Sequence, residues 1–309
     1  MKKARKPILV TGAPRSGTTF VGKMLALPYH VAYVDEPFNS LTGVKGMDTW
    51  FPYMSHAANE HEQLVRDVIE GRASFKPSLL REETKNPLKQ LAREMFVSRE
   101  NLEHRLDSYN PLKQRFLIKD PLAAFSSEYL HREFDLHTVA VMRHPASMIA
   151  SYKRLGWRFS LEELKRQKPL MDDHLKGLLD EVDPKKVSHV EEGSYLWLAI
   201  NGVLEKYAER NKDMLLLRHE DLSRDPLTEF YKMYQRYDLP FTTRVQRRIK
   251  EHTSPSNAAD PLNNVVHQLK RDSAENIHRW KKILTKKETE LIRTITAPLA
   301  DKYYSAAEW

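Results

Sequence analysis

Residues 7–20 read Pro-Ile-Leu-Val-Thr-Gly-Ala-Pro-Arg-Ser-Gly-Thr-Thr-Phe. An apolar run enters a turn holding Gly12 and Gly17, and a helical pattern follows. The chain has only 10 glycines, so two in one turn are informative about where the backbone must bend at positive φ. Backbone N–H groups in such a turn converge at the start of the helix. Together with the helix dipole they make a cradle for a phosphate. The pattern demands strand, turn and helix in that order, with an anion at the junction.

The glycine spacing equals that of the Walker A loop, G-x-x-x-x-G-K-[ST]. The lysine position is Thr18, however, and the positive charge sits inside the loop as Arg15. A nucleoside triphosphatase needs that lysine on its β- and γ-phosphates, with magnesium nearby. An acid at the end of another strand usually helps to hold the metal, yet the run 138–142 ends in Arg143. The loop suits an anion while the metal-and-triphosphate equipment is missing. This argues against the rival reading, a P-loop kinase or triphosphatase.

Short apolar runs at 7–10, 31–34, 115–118, 138–142 and 214–217 predict strands buried on both faces, as in a parallel sheet. Helical patterns occupy 17–27, 145–154, 160–168, 192–210, 226–237 and 285–303. Ser160-Leu-Glu-Glu163 and Thr285-Lys-Lys-Glu288 match the capping box. Asp225-Pro226 places an N-cap residue before a proline at the first helical position. The alternation predicts an α/β fold, a P-loop-type doubly wound parallel sheet flanked by helices, as a single domain over 1–309. Two charge-rich, mainly helical stretches at about 40–114 and 155–191 are expected as insertions over the sheet edge. Ligands of such sheets bind beyond the carboxyl ends of the strands, so the residues after each strand carry the function.

Apolar residues are 40% and charged residues 30% of the chain, which supports a packed core and excludes disorder. No run approaches the ~20 apolar residues of a transmembrane segment. The opening reads as a polar leader before the first strand rather than a signal peptide. Cysteine is absent, which excludes disulfides, thiolate metal sites and cysteine nucleophiles and fits a reducing, cytoplasmic setting. The net charge of +8 is interspersed along the chain. It reads either as an ordinary solvated surface or as a pocket for a polyanionic small molecule. No basic block with interleaved aromatics points to nucleic acid. No pair among the 13 histidines has metal-ligand spacing, and no metal is expected.

A second anion site is suggested after the fourth strand. Arg143-His144-Pro145 opens a helical pattern in which Ser151 follows, a little over two turns beyond Arg143. An Arg fork and a hydroxyl on one side suit a phosphate. The same residues could make an Arg–carboxylate pair and a solvent-facing serine. Two anion motifs after two strands favour a ligand with two separated anionic groups.

These residues resemble the sulfotransferase family that uses 3′-phosphoadenosine 5′-phosphosulfate (PAPS). Pro14-Arg15-Ser16-Gly17-Thr18-Thr19 resembles its 5′-phosphosulfate loop, and Arg143 with Ser151 its 3′-phosphate motif. Arg218-His-Glu-Asp221-Leu resembles the family's tyrosine-glutamate-aspartate-leucine segment, and Trp280-Lys281 a tryptophan-lysine stretch of bacterial members. The resemblance implies that Arg15 stabilises the leaving phosphate. It implies that Ser16, Gly17, Thr18 and Thr19 hold the 5′-phosphate, and that Arg143 and Ser151 hold the 3′-phosphate.

Sulfuryl transfer to a hydroxyl needs a general base at the sheet's carboxyl edge. Glu36, after the second strand and before Pro37, is the first candidate, as in carbohydrate- and tyrosine-directed relatives. Asp120, after the third strand, is the second and stands near the histidine of phenol- and steroid-directed relatives, which is absent here. Asp35 alternates with Glu36 and is expected to point the other way. Lys119 either polarises the transferring group or pairs with Asp120 or a helix. His30 reads as a surface residue or an acceptor contact, and Tyr195 and Trp197 as core packing. The family's late basic loop contains glycine. Its nearest counterpart, Lys270 to Lys281, has none, and one of its residues is expected to reach the nucleotide. The acceptor implied by a glutamate base is a sugar or polysaccharide precursor, with the insertions forming its cleft. A non-catalytic nucleotide-binding protein is the remaining alternative.

Overall fold

A computed structural model describes residues 5–57, 60–76, 106–107, 110, 112–254 and 277–309. Five strands form one parallel sheet: β1 (Ile8–Gly12), β2 (Val31–Asp35), β3 (Arg115–Lys119), β4 (His137–Met142) and β5 (Leu215–Arg218). Their spatial order is β2-β3-β1-β4-β5. Ile8 is level with Leu117 of β3 and His137 of β4. From β1 the chain crosses to the β2 edge, returns to β3 beside β1, and then passes to β4 and β5 on the other side. The crevice expected of such a sheet therefore opens at the carboxyl ends of β1 and its neighbours.

Among the described residues the α-helices of five or more residues are α1 (Thr18–Leu25), α2 (Glu62–Ile69), α3 (Ser127–Glu133), α4 (Pro145–Leu155), α5 (Leu161–Lys165), α6 (His189–Arg210), α7 (His219–Arg224), α8 (Pro226–Arg236), α9 (Thr243–Thr253) and α10 (Lys286–Tyr303). Strand residues alternate between the two faces with period two. Val139 and Val141 join the cluster of Val21, Phe230 and Ile249 under α1, α8 and α9. Ala140 and Met142 join Ile149, Trp197 and Ile292 from α4, α6 and α10. A third cluster, including Leu9, Val34 and Ile118, lies under α2 and α3. Burial on both faces explains why these strands are continuous apolar runs.

The predicted boundaries hold to within a few residues, and the local chemistry explains the exceptions. Thr285 and Glu288 form the expected capping box of α10. Asp225 caps α8 by accepting from Thr228 N at 3.2 Å. Ser160 caps α5 by accepting from Glu162 N rather than Glu163 N, and the Glu163 carboxylate pairs with Arg166. Helix α6 starts at His189 rather than 192, since Ser188 and Glu191 form their own capping box. In the stretch 40–114 α2 is described, and residues 77–105 lie outside the described residues. The stretch 155–191 holds α5 and two further short helical turns. Among the described residues no helix is long and apolar enough to cross a membrane.

Candidate active site

All five strands run the same way, so their carboxyl ends deliver the loop 13–17, Glu36, Asp120, Arg143 and His219 to one edge. The loop after β1 depends on its glycines. Gly12 has φ +143, and a Cβ there would lie 2.2 Å from Val141 O. Gly17 has φ +97, and a Cβ there would lie 2.5 Å from the His219 ring. Helix α1 begins at Thr18 with no side-chain cap on its first backbone donors. Ser16 Oγ is buried and, among the described residues, has no hydrogen-bond partner. An anion at a helix start supplies the acceptor that such a loop lacks.

Arg15 is held at φ +71, a costly conformation for a residue with a side chain. Helix α4 and the residues beside it brace it from several directions. Arg143 Nη1 donates to Arg15 O at 3.0 Å. Arg15 Nε donates to Ser151 Oγ at 3.1 Å. Tyr152 OH donates to the preceding Pro14 O at 2.9 Å. The guanidinium lies 5.5 Å from the centre of the Trp157 ring, within cation–π range. Arg15 thus touches both predicted anion motifs, although they are more than 120 residues apart in sequence.

Arg143 and Ser151 line a cleft with Ser147, Arg154, Arg279 and Trp280. Burial pulls the Arg143 pKa below its ordinary value. Glu220 opposes the drop, and Arg154 and Arg279 add to it. Three guanidinium groups crowded in this way favour an anion with more than one charge. The backbone beneath is fixed: Trp197 Nε1 donates to Arg143 O at 2.7 Å. His144 N donates to Glu220 Oε1 at 3.0 Å, and Tyr304 OH to Glu220 Oε2 at 3.2 Å. Glu220 therefore braces the loop, and its burial raises its pKa. Trp280 stacks on His144 with ring planes 9° apart. Arg279 comes from the late basic segment, of which residues 270–276 lie outside the described residues.

Glu36 leaves β2 at φ +47. Its N–H donates to Lys119 O at 2.8 Å. Lys119 Nζ lies 2.6 Å from Glu36 Oε1 and 2.6 Å from Asp35 Oδ1. The expected opposition of Asp35 and Glu36 does not occur, because the left-handed turn at Glu36 ends the strand alternation. Both carboxylates meet one buried ammonium. Burial works against the Lys119 charge, but Glu36 and Asp35 outweigh it and hold its pKa above the usual lysine value.

Asp120 is fully buried. Its Oδ2 accepts from Phe38 N at 2.6 Å and its Oδ1 from Leu122 N at 2.8 Å. It caps the turn beginning at Pro121 and ties that turn to the loop after Glu36. Burial and the nearby Glu36 carboxylate push its pKa up to about 8, against the pull of those backbone donors and Lys119. His30 is buried rather than superficial. It precedes β2 and so lies at the amino-terminal edge of the sheet, away from this site.

The model of the sulfotransferase family matches residues 7–243. This chain belongs to the sulfotransferase family. It is a sulfotransferase, and sulfuryl transfer is the class of reaction of its family. No curated protein matches the sulfotransferase significantly. Among solved structures it is similar to the sulfotransferase domain from the curacin biosynthetic pathway. That match has 16% identity and a TM-score of 0.44, covering 96% of this chain and 99% of that one. The sulfotransferase domain of the Synechococcus PCC 7002 olefin synthase gives 14% and 0.46, with 97% and 95% covered. A mouse sulfotransferase complexed with PAP gives 13% and 0.43, with 98% and 86% covered.

The residues of the sulfotransferase fit the donor. A 5′-phosphosulfate matches the glycine loop and its orphaned Ser16 hydroxyl. A 3′-phosphate matches the cleft of Arg143, Ser151 and Arg279. Sequence reasoning missed Trp157, Tyr152 and Asn39, whose Nδ2 donates to Glu36 Oε2 at 3.0 Å. Trp157 and Tyr152 act through tertiary contacts that no local spacing announces. Asn39 had a signal, a polar turn residue three places after the candidate base. His219 stands where the family's segment has tyrosine, and it packs on Gly17.

Proposed function

We propose that the enzyme moves the sulfuryl group of PAPS to a hydroxyl by in-line displacement, with Glu36 as general base. One observation carries the reading. Arg15 joins the two anion motifs, and the Glu36 carboxylate is pinned by Lys119 at the same sheet edge. Glu36 takes the hydroxyl proton as the acceptor oxygen bonds to sulfur. The bond from sulfur to the bridging oxygen breaks, and its electron pair stays on the 5′-phosphate. Arg15, Ser16, Gly17, Thr18 and Thr19 stabilise that charge. Arg143 and Ser151, joined by Arg279, hold the 3′-phosphate and so fix the donor in line with its acceptor. Lys119, whose ammonium pairs with Glu36 and Asp35, is assigned to polarise the transferring group. No metal has a role in this scheme.

The acceptor is assigned as a sugar or polysaccharide precursor. The support is the glutamate at the base position, which carbohydrate-directed members of the family share. Trp157, from the second insertion, lies against Arg15 and gives the proposed acceptor cleft an aromatic wall at the reacting end. A cytoplasmic setting accords with a chain that lacks cysteine.

The test is calorimetry with 3′-phosphoadenosine 5′-phosphate (PAP), followed by transfer from PAPS to a panel of glycans, phenols and lipids. Heat with PAP and sulfated glycan are expected. Heat without any transfer points to a nucleotide-binding protein instead. Transfer to phenols alone overturns the acceptor class, and magnesium-dependent ATP turnover overturns the donor.

A further inference from the structure

The turn after Glu36 contains a side chain whose orientation is fully determined. Asn39 Nδ2 donates to Glu36 Oε2 at 3.0 Å. Asn39 Oδ1 accepts from Leu41 N at 2.9 Å and from Thr42 N at 3.3 Å. An amide that accepts two backbone N–H bonds on one side must present its NH₂ on the other. The backbone of Asn39 is equally tied. Its N donates to Glu36 O at 3.1 Å, and Gly43 N donates to its O at 2.7 Å. Gly43 allows this closure, since a Cβ there would lie 2.3 Å from Pro37 O and 2.5 Å from Asn39 O. On the other side, Phe38 is buried and its N–H is bound by Asp120.

We infer that Asn39 is a positioning residue for the base. It clamps one oxygen of Glu36 while Lys119 clamps the other, so that the carboxylate meets the acceptor hydroxyl in a single orientation. The inference rests on Glu36 being the base and extends that reading to the residue that aims it. Lys119 alone does not fix the carboxylate, because its ammonium is shared with Asp35 and permits rotation about the bond to Glu36 Oε1. A second donor on Oε2 removes that freedom. Each oxygen keeps another lone pair with which to take a proton. The energetic logic is preorganisation: a base already aimed loses no orientational freedom when the acceptor arrives.

Asn39→Asp separates this role from a structural one. The substitution is nearly isosteric and keeps the acceptor for Leu41 and Thr42, but it replaces the donor with a second carboxylate. Among the described residues, the titratable groups around Glu36 are Lys119 from β3, Asp35 and Tyr33 from β2, and Asp120 at the start of the turn after β3. Another carboxylate beside them disfavours a negative charge on the base.

The expected result is PAP affinity within about twofold of the parent and an unchanged KM for PAPS. The value of kcat at neutral pH falls roughly tenfold or more. The acidic limb of the kcat–pH profile moves upward by about one pH unit, each unit being worth tenfold. Asn39→Ala is the second variant and removes the donor without adding charge. It should lower kcat at unchanged PAP affinity, with a smaller displacement of the profile. Glu36→Gln is measured alongside. A kcat–pH profile for Asn39→Asp that superimposes on the parent, while Glu36→Gln is inactive, overturns the inference and leaves the base in place. Near-normal turnover in Glu36→Gln removes the base itself. Loss of PAP binding in both Asn39 variants also overturns the inference, because the residue then holds the fold rather than the carboxylate.

Discussion

Arg143 Nη1 donates to the main-chain oxygen of Arg15 at 3.0 Å. Arg143 thereby lines the cleft of Ser151 and Arg279 and also holds the glycine loop in shape. The conformation of Arg15, at φ +71, needs that support.

Arg143→Ala should therefore cost more than one lost phosphate contact. A charge-assisted hydrogen bond is worth about 1.5–3 kcal/mol, which alone corresponds to roughly ten- to hundredfold in affinity. Calorimetry with PAP should show at least that loss. Arg143→Lys restores the charge but not the planar fork, and it should recover only part of it. Parent-like PAP affinity in Arg143→Ala would remove the 3′-phosphate role.

Glu36→Gln keeps the size of the side chain and can still accept from Lys119 Nζ. It no longer takes a proton. Turnover should fall by about 10²- to 10⁴-fold, the usual contribution of a positioned base, while PAP affinity stays near that of the parent. The informative measurement is single-turnover transfer at saturating PAPS, where donor binding does not limit the rate.

The strands were legible because the sheet is parallel and buried on both faces, which leaves short apolar runs such as Thr138 to Met142. The two anion motifs were legible because each follows a strand directly. Their meeting at Arg15 was not, since it depends on β4 lying next to β1 and on the direction of one guanidinium. The Asp35–Lys119–Glu36 cluster was hidden for a different reason. Strand alternation separates neighbouring side chains, and only the left-handed turn at Glu36 reunites them. Asp120 follows its strand as Glu36 does, but the sequence does not show that it is fully buried, whereas Glu36 keeps 26% of its side chain exposed.

Full burial gives Asp120 a pH signature. Its pKa in the folded protein is raised to about 8, above the ~3.9 of an unfolded chain. The folded state therefore holds a proton that the unfolded state releases. The resulting stability is fully present below the unfolded value and is lost as pH rises through about 8. Asp120→Asn removes this titration. It should lower stability by about 1–3 kcal/mol at neutral pH, because one backbone donor meets an NH₂ group. Its melting temperature should also fall less between pH 7 and pH 9 than that of the parent. Thermal unfolding across that range checks the slope. Equal slopes would mean that Asp120 is charged throughout.

Gly17→Ala tests the glycine loop from its far side. A left-handed residue with a Cβ costs roughly 1–2 kcal/mol. At φ +97 the added carbon would also lie 2.5 Å from His219 Cδ2, so the imidazole must move. The two penalties can be separated. Gly17→Ala should weaken PAP binding by at least tenfold, since 1.4 kcal/mol is tenfold in affinity. Combining it with His219→Ala relieves the collision but not the backbone strain, so affinity should recover only in part, relative to His219→Ala alone. Full recovery would assign the whole cost to the imidazole. Unaltered PAP affinity in Gly17→Ala would show that the nucleotide does not depend on the shape of this turn.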